Sequence, residues 1–366
     1  MTTRLGVMGC GQLGQMLGRA ALKLGIPVSF LQVDENPVVH GLGPVFSEGQ
    51  LDEFFANVDY VTIERESIPD VLLERVSQQS RLAPSYDSLM ALRVRHKQKA
   101  LFDRVQIPTA PWTYVENAQA LPAALATFNG ERVRAKRVLG GYDGGGQWVL
   151  DADAAESVDI PAEAFPLILE AEIAVDYEIS VLLARSRDGN IIYYPINRNL
   201  MHRGVLVWSF VPAQIDMAMA DQARQFAADL AAAIDYVGVL AMEFFVSQGQ
   251  LLVNEIAPRV HNTGHWTIEG ASCDQFEQHV RAVCGLPLRA PKPVPAAGMC
   301  NILGDNFPLR LPTQTVGMYL HGYGKSLRPG RKMGHLTLTG SSVDDVTKAA
   351  QDIGINNDIL AELLLK

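Results

Sequence analysis

A glycine-rich turn near the N-terminus leaves few alternatives for how the chain begins to fold. The turn, GCGQLG at 9–14, follows an apolar run at 4–8 and precedes apolar residues at helical spacing up to Leu24. Residues 25–27 end that helical pattern, and the apolar run at 28–34 predicts a second strand. A strand, turn, helix and strand within about 30 residues form a βαβ unit. The pattern therefore predicts an open α/β sheet.

The same turn has the spacing of the dinucleotide-binding fingerprint GxGxxG, and Asp34 ends the second predicted strand. In that fingerprint the helix N-terminus binds a pyrophosphate and the acid binds ribose hydroxyls. An NAD-dependent oxidoreductase is therefore one hypothesis. The alternatives are a turn that only packs the first helix, or a site for another anion such as a substrate phosphate.

Two glutamates occupy neighbouring strands of a predicted hairpin. Glu243 lies in the apolar run AMEFFV and Glu255 in LLVNEIA, with Gly249 in the turn between them. A loop at 248–250 places them opposite each other, where like charges destabilise a sheet unless a cation lies between them. Asn254 adds a neutral oxygen, and oxygen-only ligands favour Mg²⁺ bound to nucleotide phosphates. The alternative is that one glutamate faces solvent at a sheet edge.

A lysine beside a glycine-dense stretch forms a candidate phosphate site. Lys136 precedes GGYDGGG at 140–146, so loop amides and an ammonium group are available to an anion. The Walker sequence is absent, and a flexible hairpin tip is an equal alternative. Glu170 and Glu178, on strand-like runs, can accept hydrogen bonds from ribose hydroxyls or lie in solvent.

Two polar segments follow later in the chain. The loop after Glu255 carries Arg259, His261, Asn262 and His265. The segment GKSLRPGRKMGH carries Lys325, Arg328, Arg331 and Lys332. The first is a candidate site because loops on rigid scaffolds often carry chemistry. The second is either a phosphate clamp for a small anionic substrate or a solvated basic turn.

The composition excludes several classes of protein. The chain has 366 residues, a net charge of −9 and 48% hydrophobic residues, which is typical of a soluble protein with two or three domains. The acidic balance disfavours nucleic-acid and anionic-membrane partners. The sequence contains no run of about 18 apolar residues, so no membrane span is predicted. The four cysteines lack CxxC spacing, so neither a disulfide framework nor a zinc site is predicted. We expect a cytoplasmic protein.

Motifs along nearly the whole chain resemble those of the N5-carboxyaminoimidazole ribonucleotide synthase family. They are GQLG at 11–14, TIERESIP at 62–69, KALFDRVQIPTAPW at 99–112, KRVLGGYDGGGQ at 136–147, YVGVLAMEFFV at 236–246, NEIAPRVHNTGHWTIEGAS at 254–272, FEQHVRAV at 276–283 and RPGRKMGH at 328–335. The resemblance implies an ATP-grasp fold of α/β and α+β type. The implied domains are a Rossmann-like pre-ATP-grasp domain at 1–98, a linker helix and lid domain at 99–168, a central domain at 169–290 and a C-terminal module at 291–366.

The resemblance also implies the reaction. A ligase of this family forms a C–N bond by carboxylating 5-aminoimidazole ribonucleotide, with ATP and bicarbonate as co-substrates and carboxyphosphate as intermediate, in purine biosynthesis. It implies one or two Mg²⁺ ions, small-molecule substrates and a homodimer. The alternatives are the NAD-dependent oxidoreductase and a catalytically silent, nucleotide-binding paralogue.

The resemblance assigns roles by position. The catalytic set is Lys136, Arg259, His261 and Asn262. The ATP set is Arg95, Lys136, Gly141, Tyr142, Asp143, Gly144, Gly145, Gly146, Gln147, Glu170, Ala171, Glu172, Ile173, Glu178, Asn254 and Glu255. The substrate set is Gly11, Gln12, Leu13, Glu64, Tyr142, Asp143, Arg259, Lys325, Arg331 and Lys332. The Mg²⁺ ligands are Glu243 and Glu255.

Some positions depart from the family pattern. The chain has IERES at 63–67 where the family usually has YEFEN. Val138, Leu139 and Gly145 replace an arginine, a small polar residue and a basic residue of the lid. Met201 replaces a histidine. We expect these departures to weaken nucleotide binding without abolishing activity.

Overall fold

The computed structural model describes residues 3–33, 37–140, 146–151, 160–202, 204–304 and 317–354. Its helices are α1 (Gln12–Lys23), α2 (Leu51–Ala56), α3 (Asp70–Gln79), α4 (Tyr86–Arg93), α5 (Arg95–Arg104), α6 (Leu121–Ala126), α7 (Met217–Ala233), α8 (Thr267–Gly270), α9 (Gln275–Val283) and α10 (Val343–Ile353). Its strands are β1 (Leu5–Met8), β2 (Val28–Leu31), β3 (Val45–Phe46), β4 (Tyr60–Ile63), β5 (Arg81–Leu82), β6 (Trp112–Val115), β7 (Arg132–Arg137), β8 (Gln147–Asp151), β9 (Leu167–Ala171), β10 (Tyr177–Arg185), β11 (Ile191–Tyr193), β12 (Asn197–His202), β13 (Val205–Val211), β14 (Gly238–Ser247), β15 (Gln250–Ala257), β16 (Ala296–Leu303), β17 (Met318–Gly322) and β18 (Lys332–Gly340).

A parallel sheet forms the N-terminal part of the protein. Its strand order is β3-β2-β1-β4-β5, and every strand pair is parallel. Strands β1 and β2 are buried throughout, which explains their continuous apolar sequences. Helix α1 connects them and buries Met16, Leu17, Ala20 and Ala21 on one face. The βαβ unit predicted from the sequence is confirmed.

A small antiparallel sheet, the lid sheet, has the order β6-β9-β7-β8. Its core contains Val115, Leu125, Val133, Leu167 and Leu169. Strand β7 carries Lys136 and β9 carries Glu170, and the two strands are directly paired. The lid sheet therefore holds two of the predicted site residues on adjacent rigid strands.

The helix before the lid sheet is interrupted. The apolar spacing indicates one helix from about 86 to 105, but the structure has α4 and α5 separated by Val94, whose backbone is extended at φ −98°, ψ 107°. The backbone N–H of Arg95 donates to the Val138 carbonyl at 2.9 Å instead of continuing the first helix. The prediction of a single helix is wrong because a tertiary hydrogen bond to the lid segment outweighs local helix preference.

A large antiparallel sheet, the central sheet, forms the rest of the core. Its order is β15-β14-β10-β12-β13-β16-β18-β17, with β11 paired to β10. Strand β16 pairs with β13 in the register Trp208↔Cys300, so the strands after residue 291 extend the central sheet. The division at 290/291 therefore separates segments that share one sheet.

Buried polar contacts fix the parallel sheet against the central sheet. The His279 ring on α9 and the Thr62 hydroxyl on β4 are 2.7 Å apart, and both side chains are fully buried. The Val239 N–H donates to the other ring nitrogen of His279, so the Nε2–H faces Thr62. Lys23 on α1 forms an ion pair with buried Glu277 at 3.1 Å. These contacts set the glycine turn opposite the central sheet.

None of the helices in the described ranges is long and apolar enough to cross a membrane.

Candidate active site

One cleft of about 1020 Å³ collects most of the predicted site residues. Those that line it are Gln12, Leu13, Glu64, Arg95, Lys136, Gln147, Glu170, Ala171, Glu172, Ile173, Glu178, Glu243, Asn254, Glu255, Arg259, His261, Asn262, Lys325, Arg331 and Lys332. Gly11 and Gly146 are described but do not line it. The predicted positions Gly141, Tyr142, Asp143, Gly144 and Gly145 lie outside the described residues, as does Asp34.

The β14–β15 hairpin places Glu243 opposite Glu255, as predicted, but by a different route. The turn has only two residues, Gln248 and Gly249, both with positive φ, which is typical of a type I′ turn. That turn alone would pair Glu243 with Asn254. A β-bulge after Glu243 shifts the register by one residue and brings the two glutamates together. Glu243 is buried, whereas Glu255 on the edge strand is exposed to the cleft.

The electrostatics of this hairpin favour a cation. Burial, followed by repulsion from Glu255 and Glu178, raises the pKa of Glu243 to about 8. Burial and the charge of Glu255 raise the pKa of Glu178 to about 7, and its Oε2 is buried without a hydrogen bond. A divalent cation would remove both penalties. Within the described ranges no three His, Cys, Asp or Glu side chains form a metal site by themselves. The donors therefore fit Mg²⁺ whose remaining ligands are phosphate oxygens and water.

The raised pKa values of Glu243 and Glu178 predict that the stability of the ligand-free enzyme depends on pH. Because both folded pKa values exceed the unfolded carboxyl value, the folded state retains protons that the unfolded chain releases. Stability is therefore lost as pH rises from about 4.3 towards 8. Between about pH 7.5 and 8.5, where the histidines are neutral in both the folded and the unfolded chain, we expect the melting temperature to fall by about 1–2 °C.

Calorimetry at a series of pH values measures this slope. Glu243→Gln should flatten it, and the exposed replacement Asp229→Asn should leave it unchanged. A wild-type melting temperature that rises across the same interval would contradict the protonated state assigned to these carboxyls.

Lys136 reaches the cleft from the lid sheet, and its ammonium group forms an ion pair with Glu170. The other oxygen of Glu170 forms an ion pair with Lys99 on α5. Sequence reasoning assigned no role to Lys99, although it begins the motif KALFDRVQIPTAPW, because no local pattern pairs it with Glu170. Arg95, at the start of α5, donates to the carbonyl groups of Arg137 and Gly140, so it also braces the segment that enters the glycine stretch.

The loop after β15 is held rigidly. Arg259 forms an ion pair with Glu66 at 2.9 Å, and both side chains are largely buried. The Gln275 side chain accepts from the His261 N–H and donates to the His261 carbonyl, at 2.8 and 2.7 Å. Burial, together with Arg259, holds the pKa of His261 well below its usual range, so its ring is neutral. The Nδ2 of Asn262 is buried without a hydrogen-bond partner in the described chain. These groups present one cation, one neutral ring and one amide donor to the cleft.

The glycine turn binds a carboxylate of the protein itself, that of Glu64. The backbone N–H groups of Gly11 and Gly14 donate to the Glu64 carboxylate at 2.8 and 2.6 Å. A Cβ atom on Gly9, whose φ is +116°, would lie 2.2 Å from Glu64 Cγ, so the turn needs glycine to admit this side chain. The carboxylate therefore occupies the position at the α1 N-terminus where a dinucleotide fingerprint would bind a pyrophosphate. This contact disfavours the NAD hypothesis.

The basic segment contributes cations to the same cleft. Lys325, Arg331 and Lys332 line it, and Arg331 also donates to the Ser326 carbonyl and hydroxyl. Tyr323 lines the cleft beside them and contacts the His335 ring at 2.8 Å. Sequence reasoning missed Tyr323 because it relied on the charges of this segment.

The antiparallel lid sheet faces the larger antiparallel central sheet across the cleft. The cleft contains cations suited to phosphates and carboxylates suited to a metal ion. This is the arrangement of an ATP-grasp enzyme. Models of known families agree. The ATP-grasp domain matches residues 100–276, the ribonucleotide synthetase preATP-grasp domain matches 1–93, and the phosphoribosylaminoimidazole carboxylase C-terminal domain matches 297–349.

Individual relatives narrow the class. The N5-carboxyaminoimidazole ribonucleotide synthase of Vibrio cholerae is 40% identical, with 92% of this chain and 90% of that protein covered. The Escherichia coli enzyme is 38% identical, with 93% and 91% covered. An ADP complex of an N5-carboxyaminoimidazole ribonucleotide synthetase superposes with a TM-score of 0.88, 30% identity and 98% coverage of both chains. The Aspergillus clavatus enzyme with ADP and 5-aminoimidazole ribonucleotide superposes with a TM-score of 0.84 and 26% identity, with 98% of this chain and 99% of that chain covered.

The chain belongs to the N5-carboxyaminoimidazole ribonucleotide synthase family of ATP-grasp ligases. The fold class and the family predicted from the sequence are confirmed. Neither the oxidoreductase nor the silent-paralogue hypothesis is supported.

Proposed function

We propose that this chain converts 5-aminoimidazole ribonucleotide, ATP and bicarbonate to N5-carboxyaminoimidazole ribonucleotide, ADP and phosphate. One observation carries the proposal: a single cleft contains the opposed glutamates, Lys136, the Arg259–Asn262 loop and the basic segment. Such a site can neutralise a transferring phosphoryl group and hold a second, anionic substrate within reach of it.

ATP lies between the lid sheet and the central sheet in this proposal. Lys136 and Arg95 contact its phosphates with the glycine stretch, the segment at 170–173 contacts the adenine, and Glu178 contacts the ribose. Glu243 and Glu255, with Asn254 beside them, hold one or two Mg²⁺ ions. The metal supplies charge neutralisation for the phosphate oxygens.

Bicarbonate binds at the loop after β15. An oxygen of bicarbonate attacks the γ-phosphorus, the bond to the β-phosphate oxygen breaks, and carboxyphosphate and ADP form. Carboxyphosphate then divides into CO₂ and phosphate inside the cleft. Arg259 stabilises the negative charge, while neutral His261 and the free amide donor of Asn262 orient the anion without adding charge.

The ribonucleotide binds across from ATP. Lys325, Arg331 and Lys332 are placed to bind its phosphate, and Gln12, Leu13 and Glu64 line the same cleft. The exocyclic amine attacks the released CO₂, forms the C–N bond and loses a proton to give the carbamate. Because the cleft retains CO₂ beside the amine, the capture step is effectively intramolecular.

Several wider features also belong to this proposal. The four domains are 1–98, 99–168, 169–290 and 291–366, and the enzyme is a cytoplasmic homodimer. The family resemblance supports these features. The lid departures Val138, Leu139 and Gly145 weaken ATP binding relative to family members that retain the charged lid.

The test measures ADP formed with Mg-ATP and bicarbonate, with and without 5-aminoimidazole ribonucleotide, together with product carboxylation. We expect ADP formation to depend strongly on the ribonucleotide and to match the carbamate formed. Nucleotide binding with no turnover under any combination of substrates would overturn the proposal.

A further inference from the structure

A buried cluster of charges joins the lid sheet to helix α5 at the ATP side of the cleft. Glu170 is 5% exposed, and its two oxygens form ion pairs with different lysines: Oε1 with Lys99 and Oε2 with Lys136. Burial alone would raise the pKa of Glu170, but the attraction of Lys136 and Lys99 outweighs it and lowers this pKa to about 2. Glu170 is therefore a carboxylate at neutral pH.

Lys99 lies behind the wall of the cleft and does not line it. Only 2% of the residue is exposed, and its ammonium also donates to the Thr109 hydroxyl at 2.5 Å. The Thr109 hydroxyl donates in turn to the Val253 carbonyl at 2.9 Å, on the strand that carries Glu255. Lys99 therefore connects Glu170 of the lid sheet, through Thr109, with β15, the strand that carries Glu255.

The charge balance of the cluster depends on Lys99. Burial lowers the pKa of Lys99, and the Glu170 carboxylate opposes that shift. With both lysines charged, two ammonium groups and one carboxylate carry one net positive charge, and Lys136 is the cation that faces the cleft. Without Lys99, Glu170 would neutralise Lys136, and the lid would present no net charge from this cluster to a phosphate. Coulombic interactions across a poorly solvated wall are screened far less than those in water.

We propose that Lys99 is a positioning residue for ATP. Its positive charge offsets the negative charge of Glu170, so that the positive charge of Lys136 stays available to the nucleotide phosphates. The proposal rests on the assignment of Lys136 to the ATP site under the proposed function. Lys99 itself touches no substrate. The alternative is that Lys99 only crosslinks α5 to the lid sheet.

The variant Lys99→Gln separates the two roles. Its amide can still donate to Glu170 or Thr109, so a crosslink survives while the charge is lost. The matched control is Lys97→Gln, which makes the same charge change on the exposed face of the same helix. The measurements are the dissociation constant of Mg-ADP by calorimetry, the KM values for ATP and for the ribonucleotide, and the melting temperature.

We expect Lys99→Gln to weaken Mg-ADP binding and raise KM for ATP by about tenfold or more, with KM for the ribonucleotide changed by less than about twofold. Lys97→Gln should match the wild type. Unchanged ADP affinity in Lys99→Gln, or equal losses for both substrates, would overturn the electrostatic role.

A charge-keeping variant provides an independent test, even where Lys99→Gln does not fold. Lys99→Arg keeps a cation beside Glu170 but changes the shape of the side chain and its contact with Thr109. We expect its ADP affinity to lie within about threefold of the wild type. Affinity weakened about tenfold or more would overturn the proposal. A wild-type enzyme that binds ADP but does not carboxylate the ribonucleotide would instead overturn the proposed function alone.

Discussion

Replacing Glu255 with glutamine is expected to lower kcat by at least about 100-fold. The change keeps the shape of the side chain but removes the negative charge of one of the two opposed carboxyl groups on the β14–β15 hairpin. Loss of groups that merely orient metal ligands costs about 10- to 100-fold, so loss of a direct ligand should cost at least as much. Glu255 is exposed to the cleft and belongs to no buried core, so folding should be preserved.

Steady-state kinetics at a series of Mg²⁺ concentrations measure this effect. We expect the variant to need more Mg²⁺ for half-maximal activity, which a general structural defect would not produce. The surface variant Asp229→Asn is the charge-matched control on the same domain. Wild-type kcat and wild-type Mg²⁺ dependence in Glu255→Gln would remove the metal site from the hairpin.

Replacing Arg259 with lysine is expected to lower kcat by about 100- to 1,000-fold although the positive charge is kept. The Arg259 guanidinium contacts Glu66 at 2.9 Å through Nε and donates to the Val260 carbonyl at 3.0 Å through Nη1, which fixes its plane in the cleft. Lysine lacks this planar set of donors and cannot be braced and bind an oxyanion at the same time. Loss of one preorganised oxyanion donor typically costs this much.

The effect should fall mainly on kcat, with KM for ATP changed by less than about threefold, because Arg259 is assigned to the bicarbonate end of the cleft. The control is Arg104→Lys, at the exposed end of α5. A variant with normal kcat and a raised KM for ATP would place Arg259 in nucleotide binding instead.

Much of the fold was predictable because local patterns and tertiary structure agree. The run at 4–8, the glycine turn and the apolar spacing to Leu24 all indicate the same βαβ unit, which the parallel sheet then requires. The pairing of Glu243 with Glu255 was also predicted. The two-residue turn and the compensating bulge were not, since a bulge depends on neighbouring strands.

Other features depend on contacts between distant segments. Val94 interrupts a helix-like sequence because Arg95 bonds the Val138 carbonyl, 43 positions later. The glycine fingerprint left a dinucleotide site as one of several hypotheses, and the Glu64 carboxylate, which follows β4, occupies the anion position. Lys99 begins a motif of the family resemblance, but only the fold brings it to Glu170. The roles assigned to individual residues of the cleft stay predictions.

The most direct measurement of the central claim follows oxygen atoms from bicarbonate. The enzyme is incubated with Mg-ATP, 5-aminoimidazole ribonucleotide and bicarbonate labelled with heavy oxygen, and the phosphate and carbamate are analysed by mass spectrometry. Attack of bicarbonate on the γ-phosphorus predicts one labelled oxygen in each phosphate released and the other two labelled oxygens in the carbamate. Unlabelled phosphate, from turnover completed before the bicarbonate exchanges its oxygens with water, would show that no carboxyphosphate forms and would contradict the mechanism assigned to this cleft.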